Sequence, residues 1–368
     1  MSAPNAPATT VLVADDSAFA RTWAERLLAD AGHVVVTVAD GDAAFAMARS
    51  RPPDVLVADE VMPGLSGRQL IRALREAFSD AGIVLMTASE DVEIEADALR
   101  IGVDQFLRKP CTADALARAV ASAQVAGDAR RIRREREVHN EGEMRAAVAI
   151  QAALLPAPAI VPEGWSIGTG FMPSRDVGGD VYDVVRRDES TLVVAVGDVS
   201  GKGVAGALFA AMFQTATRAA LARGDDPAAA LACAGALLFE NLERAGRFLT
   251  ATVVDIDLPT GRLRYADAGH GHHLLLDARG VERTLPAGGP PIGFLPEPEY
   301  DLGVDCIAPG ESLSIFSDGL VEGGDRDDPT VARADLADRL AGGAAADRLV
   351  AEAPDDDDRT MVLVRRAA

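Results

Sequence analysis

The acidic residues with the most chemical promise each stand beside a short apolar run. Asp15 and Asp16 follow Val11–Ala14, and Asp59 follows Asp54–Ala58. Thr87 closes the run Gly82–Met86, and Lys109, with Pro110 after it, follows Val103–Leu107. Three carboxylates gathered in one place repel each other unless a hard cation sits among them, and all-oxygen ligation suits Mg2+. Lys109 adds a fixed positive charge for a phosphoryl group. Thr87 adds a hydroxyl donor, and Ala88 beside it is small enough to admit a phosphate. Asp59 can then act as a nucleophile and carry an acyl phosphate. Any one of these acids alone reads as an ordinary loop residue; their joint placement after the first, third, fourth and fifth runs argues for a site.

The second half of the chain repeats one device four times, an acid at a strand end with glycine usually nearby. The instances are Gly178-Gly179-Asp180 with Asp183, Gly197-Asp198-Val199-Ser200-Gly201, Ser317-Asp318-Gly319 and Asp357-Asp358-Arg359-Thr360. Glycine allows tight turns and close backbone approach, so carbonyls and waters can join a ligand shell. Few histidines or cysteines accompany these acids, which disfavours zinc and favours Mn2+ or Mg2+. Two such ions about 4 Å apart can activate a water for in-line attack on phosphorus without a protein nucleophile. No glycine-lysine phosphate loop and no cysteine in a phosphate-cradling loop offers a rival apparatus. Singly, each Asp-Gly pair is more often a turn.

These residues need elements to position them. From Val11 onward, short β-branched runs (Val11–Ala14, Val34–Val38, Asp54–Ala58, Gly82–Met86, Val103–Leu107) alternate with helical stretches such as Ala18–Ala31 and Arg68–Ala77. Runs of this kind imply a parallel sheet with crossover helices, in which the carboxyl ends of the strands converge on one edge. Thr112 to about Leu155 reads as a long helical connector, charged over Arg130–Val138 and ended by Pro156, Pro158 and Pro162. Its apolar spacing fits a solvated helix or a dimeric coiled coil, and we favour the dimer. Beyond Trp165 come strands (Thr191–Val199, Phe248–Asp257, Arg262–Ala268) and two helices (Val204–Ala222, Pro227–Arg244), implying layered antiparallel sheets with helices outside. The expected division is a disordered tail over 1–10, an α/β doubly wound (βα)5 domain over 11–126, a helical linker over 127–160 and an α-β-β-α layered domain over 161–368.

Composition narrows the function. A length of 368 residues suits two domains and a connector. The net charge of −21 argues against nucleic acid as a partner. From residue 156 onward 34 acidic and 19 basic residues leave −15, a surface that repels phosphate unless cations intervene. Gln214 and Arg218 interrupt the most apolar helix, so no membrane span is expected. Cys111, Cys233 and Cys306 are odd in number and scattered, which fits a reducing cytoplasm.

Over roughly Thr10 to Ala126 the chain resembles the receiver domain of two-component response regulators. The resemblance is carried by Ala14-Asp15-Asp16, Asp59 with Met62-Pro63-Gly64, Thr87-Ala88 and Lys109-Pro110. It implies phosphorylation of Asp59 by a histidine kinase or phosphotransfer protein, and Mg2+ held by Asp16, Asp59 and the Val61 carbonyl with Asp15 assisting through water. It also implies a switch in which Phe106 turns inward as Thr87 moves to the phosphoryl group; a plain core aromatic is the alternative. Over roughly Ala147 to Arg366 the chain resembles the SpoIIE/RsbU-like branch of the metal-dependent PPM serine/threonine phosphatases. That resemblance rests on Ile150-Gln151 with Leu154-Leu155-Pro156, Val177 to Asp183, Gly197 to Gly201, Ala268-Gly269-His270, Ser317 to Glu322 and Asp357 to Thr360.

This second resemblance implies that Asp198 bridges two Mn2+ or Mg2+ ions, with the Val199 carbonyl on one, Asp318 and Asp357 on the other, and Asp180 orienting metal-bound water. Lys202 stands where many relatives have histidine, as a phosphate contact or an exposed side chain. His270, His272 and His273 fit a metal cluster or, as favoured here, a turn into Leu274–Leu276; Arg175 before its turn is a weak phosphate candidate. The segment Gly323–Asp356 is short for the family. The expected function is a cytoplasmic, homodimeric response regulator whose phosphorylated Asp59 controls a serine/threonine phosphatase. Its implied substrate is a phosphorylated anti-anti-sigma factor with a STAS domain. A non-catalytic module that sequesters a partner and a small-molecule phosphohydrolase are the alternatives.

Overall fold

A computed structural model describes residues 8–77, 80–89, 97–157, 161–286, 288–322 and 328–368. The chain divides into two units, Met1–Glu141 and Gly142–Ala368.

In the first unit, β1 (Thr10–Ala14), β2 (Val34–Val38), β3 (Val55–Asp59), β4 (Gly82–Thr87) and β5 (Gln105–Arg108) form a sheet in the order β2-β1-β3-β4-β5. All four pairings are parallel. Residues of alternate parity feed two cores, because successive side chains of a strand point to opposite faces. Leu12, Leu56, Ile83 and Leu85 meet α2 (Gly41–Ser50) and α3 (Gly67–Glu76) on one face. Val11, Val13, Val57 and Val84 meet α1 (Ala18–Asp30) and the start of α4 (Ala113–Leu154) on the other. Full burial of such a side chain stabilises by roughly 1.5–3 kcal/mol. The doubly wound expectation is met.

Two boundaries move. Residues 1–7 of the expected tail lie outside the described residues, while Thr9 is buried and Thr10 already belongs to β1. The Thr10 N–H donates to Asp54 Oδ2 at 2.8 Å, which fixes the strand start. At the other end, α4 stays on the sheet unit beyond residue 126. A Cβ on Gly82 would meet the Ala123 carbonyl at 2.1 Å, and one on Gly127 would meet the Gly82 nitrogen at 2.7 Å, so helix and strand touch backbone to backbone. Arg130 then reaches Asp104 through both terminal nitrogens at 2.7 Å, and Arg134 reaches Asp80 at 2.6 Å. From Arg131 to Asn140 every residue of α4 is exposed. The helix ends before Pro156; Pro158 lies outside the described residues.

The second unit holds two antiparallel five-stranded sheets. One has the order β13-β10-β9-β8-β7, from β7 (Val181–Arg186), β8 (Thr191–Val199), β9 (Leu249–Asp257), β10 (Arg262–Ala268) and β13 (Gly303–Cys306). The other runs β12-β11-β14-β15-β6, from β6 (Trp165–Met172), β11 (His273–Leu276), β12 (Glu282–Arg283), β14 (Ser312–Phe316) and β15 (Arg359–Arg366). Val194, Ile256, Leu313 and Val362 fill the space between the sheets. Outside, α5 (Val204–Ala222) and α6 (Pro227–Ala245) cover the first sheet through Phe213 and Leu231. Helices α7 (Pro329–Ala341) and α8 (Ala346–Glu352) cover the second through Leu336 and Leu349. This is the expected α-β-β-α stack. By length and composition α5 is apolar enough for a membrane span, contrary to the sequence reading. Its Ala210, Phe213, Ala216 and Ala220 are buried in the sheet-facing core, and Arg218 pairs with Asp183, as in a core helix.

Candidate functional site

Two acidic clusters form, one in each unit. In the first, parallel strands deliver Asp15, Asp59 and Thr87 to the carboxyl edge, and Lys109 follows β5. Lys109 Nζ lies 2.6 Å from Asp15 and 2.9 Å from Asp59. Asp15 is fully buried and also accepts from the Ser17 N–H at 2.9 Å; Asp16 is exposed. Ligand oxygens of Asp15, Asp16 and Asp59 all lie within 4.8 Å of one another, the one such trio among the described residues. Burial pushes the Asp59 acid up; the hydrogen bond and charge of Lys109 oppose this, and Asp15 and Asp16 add to it. Burial works against the charge of Lys109, and hydrogen bonds to Asp15 and Asp59 more than restore it.

The backbone around Asp59 is tight. A Cβ on Gly67 would lie 2.5 Å from the Asp59 carbonyl, so only glycine lets α3 start there. The Thr87 hydroxyl accepts from the Ser89 N–H at 3.1 Å, and Thr87 is buried. Phe106 is half-buried against the core face shared with Leu85. Val61 is exposed just past Asp59. The Lys109–Pro110 bond is cis.

In the second unit, four turns bring Asp180, Asp198, Asp318 and the Asp357-Asp358 pair together. Asp180 precedes β7, Asp198 lies near the end of β8, Asp318 begins a 3-10 turn after β14, and Asp357 and Asp358 precede β15. Asp198, Asp318, Asp357 and Asp358 line one cavity of about 260 Å3. Close glycine contacts hold the loops. A Cβ on Gly179 would meet the Val199 carbonyl at 2.8 Å, and one on Gly206 would meet the Gly201 carbonyl at 2.6 Å. Asp358 ties the loops: it accepts from the Gly179 N–H at 2.6 Å and from the Ser174 N–H and hydroxyl at 2.7 and 2.9 Å.

The electrostatics are those of acids crowded without a central base. Burial, then Asp318, Asp357 and Asp358, push Asp198 up to about 7. Burial, Asp357 and Glu322 push Asp318 up to about 6. Asp180 rises well above the carboxylate range through burial and the charge of Asp198, and its Oδ2 is buried without a hydrogen-bond partner. A buried carboxylate oxygen without a partner is costly, and hard oxygen donors under mutual repulsion are what Mg2+ or Mn2+ relieves. The donor set therefore fits divalent cations.

Of the other expected residues, Lys202, His270 and His272 line the same cavity, while Asp183 and His273 do not. Asp183 points to α5, where the Arg218 guanidinium holds both of its oxygens. His270 uses both ring nitrogens, towards the Thr250 hydroxyl at 3.0 Å and the Phe316 carbonyl at 2.9 Å. Because a carbonyl only accepts, Nε2 carries the proton, and burial together with the His272 charge depresses the ring to about 3. Burial and Arg333 depress His272 to about 4. His273 opens β11 and bonds the Leu285 carbonyl at 2.8 Å. His270 and His273 are thus tied to backbone carbonyls, and His270 and His272 line the acidic cavity. Lys202 reaches Asp357 at 3.0 Å, and Arg175 is exposed. Residues 323–327 of the segment read as short lie outside the described residues. Sequence reasoning missed the tie made by Asp358; its partners lie 179 and 184 residues away, and nothing in local spacing marks them.

Comparison with known proteins divides the chain in the same way. Residues 11–121 match the response regulator receiver domain, and residues 188–367 match Stage II sporulation protein E (SpoIIE). Phosphoserine phosphatase RsbP of Bacillus subtilis (strain 168) is 26% identical over 189 residues, covering 50% of this chain and 47% of that protein. Phosphoserine phosphatase RsbU of the same organism is 26% identical over 183 residues, covering 50% of this chain and 54% of that protein. The chain thus spans about half the length of these curated relatives. The RsbU and RsbW domains of Rv1364c from Mycobacterium tuberculosis share the fold, at 24% identity and a TM-score of 0.50, over 58% of this chain and 62% of that one.

Proposed function

We propose that this chain, a response regulator receiver domain joined to a SpoIIE-type domain, is a phosphorylation-controlled, metal-dependent protein serine/threonine phosphatase. The observation that carries the reading is the convergence of Asp180, Asp198, Asp318 and Asp357 from four turns, with Asp180 Oδ2 left unpartnered and Asp198 pushed up to about 7 by burial and then by its acidic neighbours. Asp198, the Val199 carbonyl, Asp318 and Asp357 would hold two Mn2+ or Mg2+ ions. Bound there, the ions would supply Lewis acidity, activating a water and neutralising charge on the phosphoryl oxygens. Asp180 would orient the attacking water. Asp358 keeps the loops in place through Gly179 and Ser174.

In the receiver, Asp59 would take the phosphoryl group from a histidine kinase or phosphotransfer protein, with Mg2+ on Asp16, Asp59 and the Val61 carbonyl and Asp15 assisting through water. Lys109, 2.9 Å from Asp59, would balance the added charge, and Thr87 and Phe106 would carry the switch. The substrate proposed, as the resemblance to SpoIIE/RsbU-like phosphatases implies, is a phosphorylated anti-anti-sigma factor of the STAS type, met by a cytoplasmic homodimer. The exposed apolar residues Ile132, Val138 and Ile150 of α4 support pairing of two such helices.

The test is phosphate release from serine-phosphorylated STAS protein with Mn2+, before and after treatment with acetyl phosphate and Mg2+. Release should require Mn2+ and change severalfold on phosphorylation, and Asp59→Asn should take up no label and show no change. Equal labelling of Asp59→Asn would overturn the receiver assignment. No release by either form would favour a module that sequesters its partner. For coupling, a four-residue deletion belongs after Arg134, since Arg130 and Arg134 already bond the receiver. It rotates one end of the helix against the other by about 40° and should abolish or invert the response while keeping both activities.

A further inference from the structure

An aromatic pair stands at the lip of the acidic cavity. Phe248 lines that cavity with Asp198 and Asp318. It is 38% exposed, Phe294 is 57% exposed and Leu295 is 48% exposed. The two rings meet edge to face with centroids 5.4 Å apart. Their placement is fixed by backbone. Phe248 N–H donates to the Ser200 hydroxyl at 2.9 Å, and Ser200 N–H donates to the Phe248 carbonyl at 2.9 Å. Leu249 and Ile292 exchange N–H···O bonds at 2.9 and 2.8 Å, and Gly293 turns the chain at φ 100°. A Cβ on Gly293 would meet the Arg247 carbonyl at 3.1 Å. The aromatic residues are thus displayed by the loop rather than folded under it. A lone exposed apolar side chain is ordinary; an edge-to-face pair anchored beside a polar cavity is a contact surface.

Electrostatics give that surface its task. Five carboxylates (Asp180, Asp198, Asp318, Asp357 and Asp358) crowd the site, and two divalent cations would cancel four of those charges. The net −15 from residue 156 onward gives a phosphorylated, acidic protein no long-range attraction. Attraction to cations in the cavity dies away within a Debye length of about 8 Å. Affinity for the rest of a protein substrate has to come from short-range contact, and the exposed apolar surface beside the cavity is Phe248, with Phe294 packed on its ring and Leu295 next in the chain.

We propose that these three residues form a docking lip for an apolar side chain flanking the phosphorylated serine or threonine of a protein substrate. This rests on the phosphatase reading above. Aromatic anchors carry a disproportionate share of interface energy, so one ring lost should be visible in kinetics. The experiment uses the full chain with Mn2+ and two phosphoserine peptides, one with leucines flanking the phosphoserine and one with glycine and serine there. The parent should favour the leucine peptide by about tenfold in kcat/KM, through KM rather than kcat. Phe294→Ala should bring the ratio near one, and Phe294→Leu should retain part of the preference. Equal kcat/KM for both peptides in the parent, or an unchanged ratio in Phe294→Ala, overturns the lip. So does a Phe294→Ala variant whose sedimentation shifts to a smaller species while peptide preference stays, since the patch then holds a second copy of this chain. A parent that hydrolyses neither peptide nor para-nitrophenyl phosphate refutes the phosphatase reading instead.

Discussion

At the receiver's sheet edge Lys109 stands between Asp15 and Asp59, at 2.6 and 2.9 Å. In the second unit the charged groups that dominate Asp198 are all carboxylates, and Lys202 sits at the margin on Asp357. Both clusters collect acids at strand ends. The first carries part of its counter-charge in the chain, and burial alone is the main force raising Asp59. The second meets its repulsion by retaining protons or by binding cations. An acidic site with a lysine between its carboxylates thus carries counter-charge of its own, whereas one with its lysine at the margin is left to protons or cations.

That contrast can be broken in four ways. Asp198→Ala should cost roughly a thousandfold in Mn2+-dependent phosphate release, about 4 kcal/mol of barrier, while the unfolding temperature holds or rises because repulsion is relieved. A large fall in stability with activity retained would mean that Asp198 is structural. Saturating Mn2+ should come next, stabilising the second unit by about 2.7 kcal/mol at a hundred times Kd, with a chelator reversing it in calorimetry. If Mg2+ shifts the receiver's transition as much, the lysine makes no difference. Lys109→Met should destabilise the receiver by about 2 kcal/mol, below the 3–5 kcal/mol of a fully buried pair because the lysine keeps solvent contact. Denaturant unfolding would show it. Lys202→Met should be smallest, under about 1 kcal/mol, since both partners are partly exposed; a larger loss would mean that the second site also leans on its lysine.

Much of this was legible in the residues. The run Val34–Val38 is a strand to the residue, as are Thr191–Val199 and Arg262–Ala268, because β-branched and apolar residues at the pleat's period leave little choice. Val204–Ala222 likewise has the bounds expected. The acids at strand ends were identifiable because topology alone gathers them. What escaped depends on partners distant in sequence. Asp183 sits in the same motif as Asp180, yet it faces Arg218 across 35 residues. Asp358 looks like one more acid in a run of four until Gly179 and Ser174 fold onto it. Gly67 and Gly127 gave no signal because the need for glycine arises from a backbone elsewhere in the fold. Phe248 and Phe294 likewise become a pair only when Leu249 bonds Ile292.

The seam between Gly82 and Gly127 bears on how such a receiver could be transplanted. A chimera cut at residue 126 would leave behind the glycine that lets α4 lie flush on β4, and with it the arginines that grip Asp104 and Asp80. The exported receiver would carry a frayed edge, and Arg130 and Arg134 would stay behind on the remaining helix, cut off from Asp104 and Asp80. A join placed after Arg134 moves the receiver with its own fastening. Beyond that point α4 is exposed through Asn140, so a foreign output module meets a plain helical stub whose register alone has to be matched. The portable part is therefore about two helical turns longer than the sheet and its packed helices would suggest.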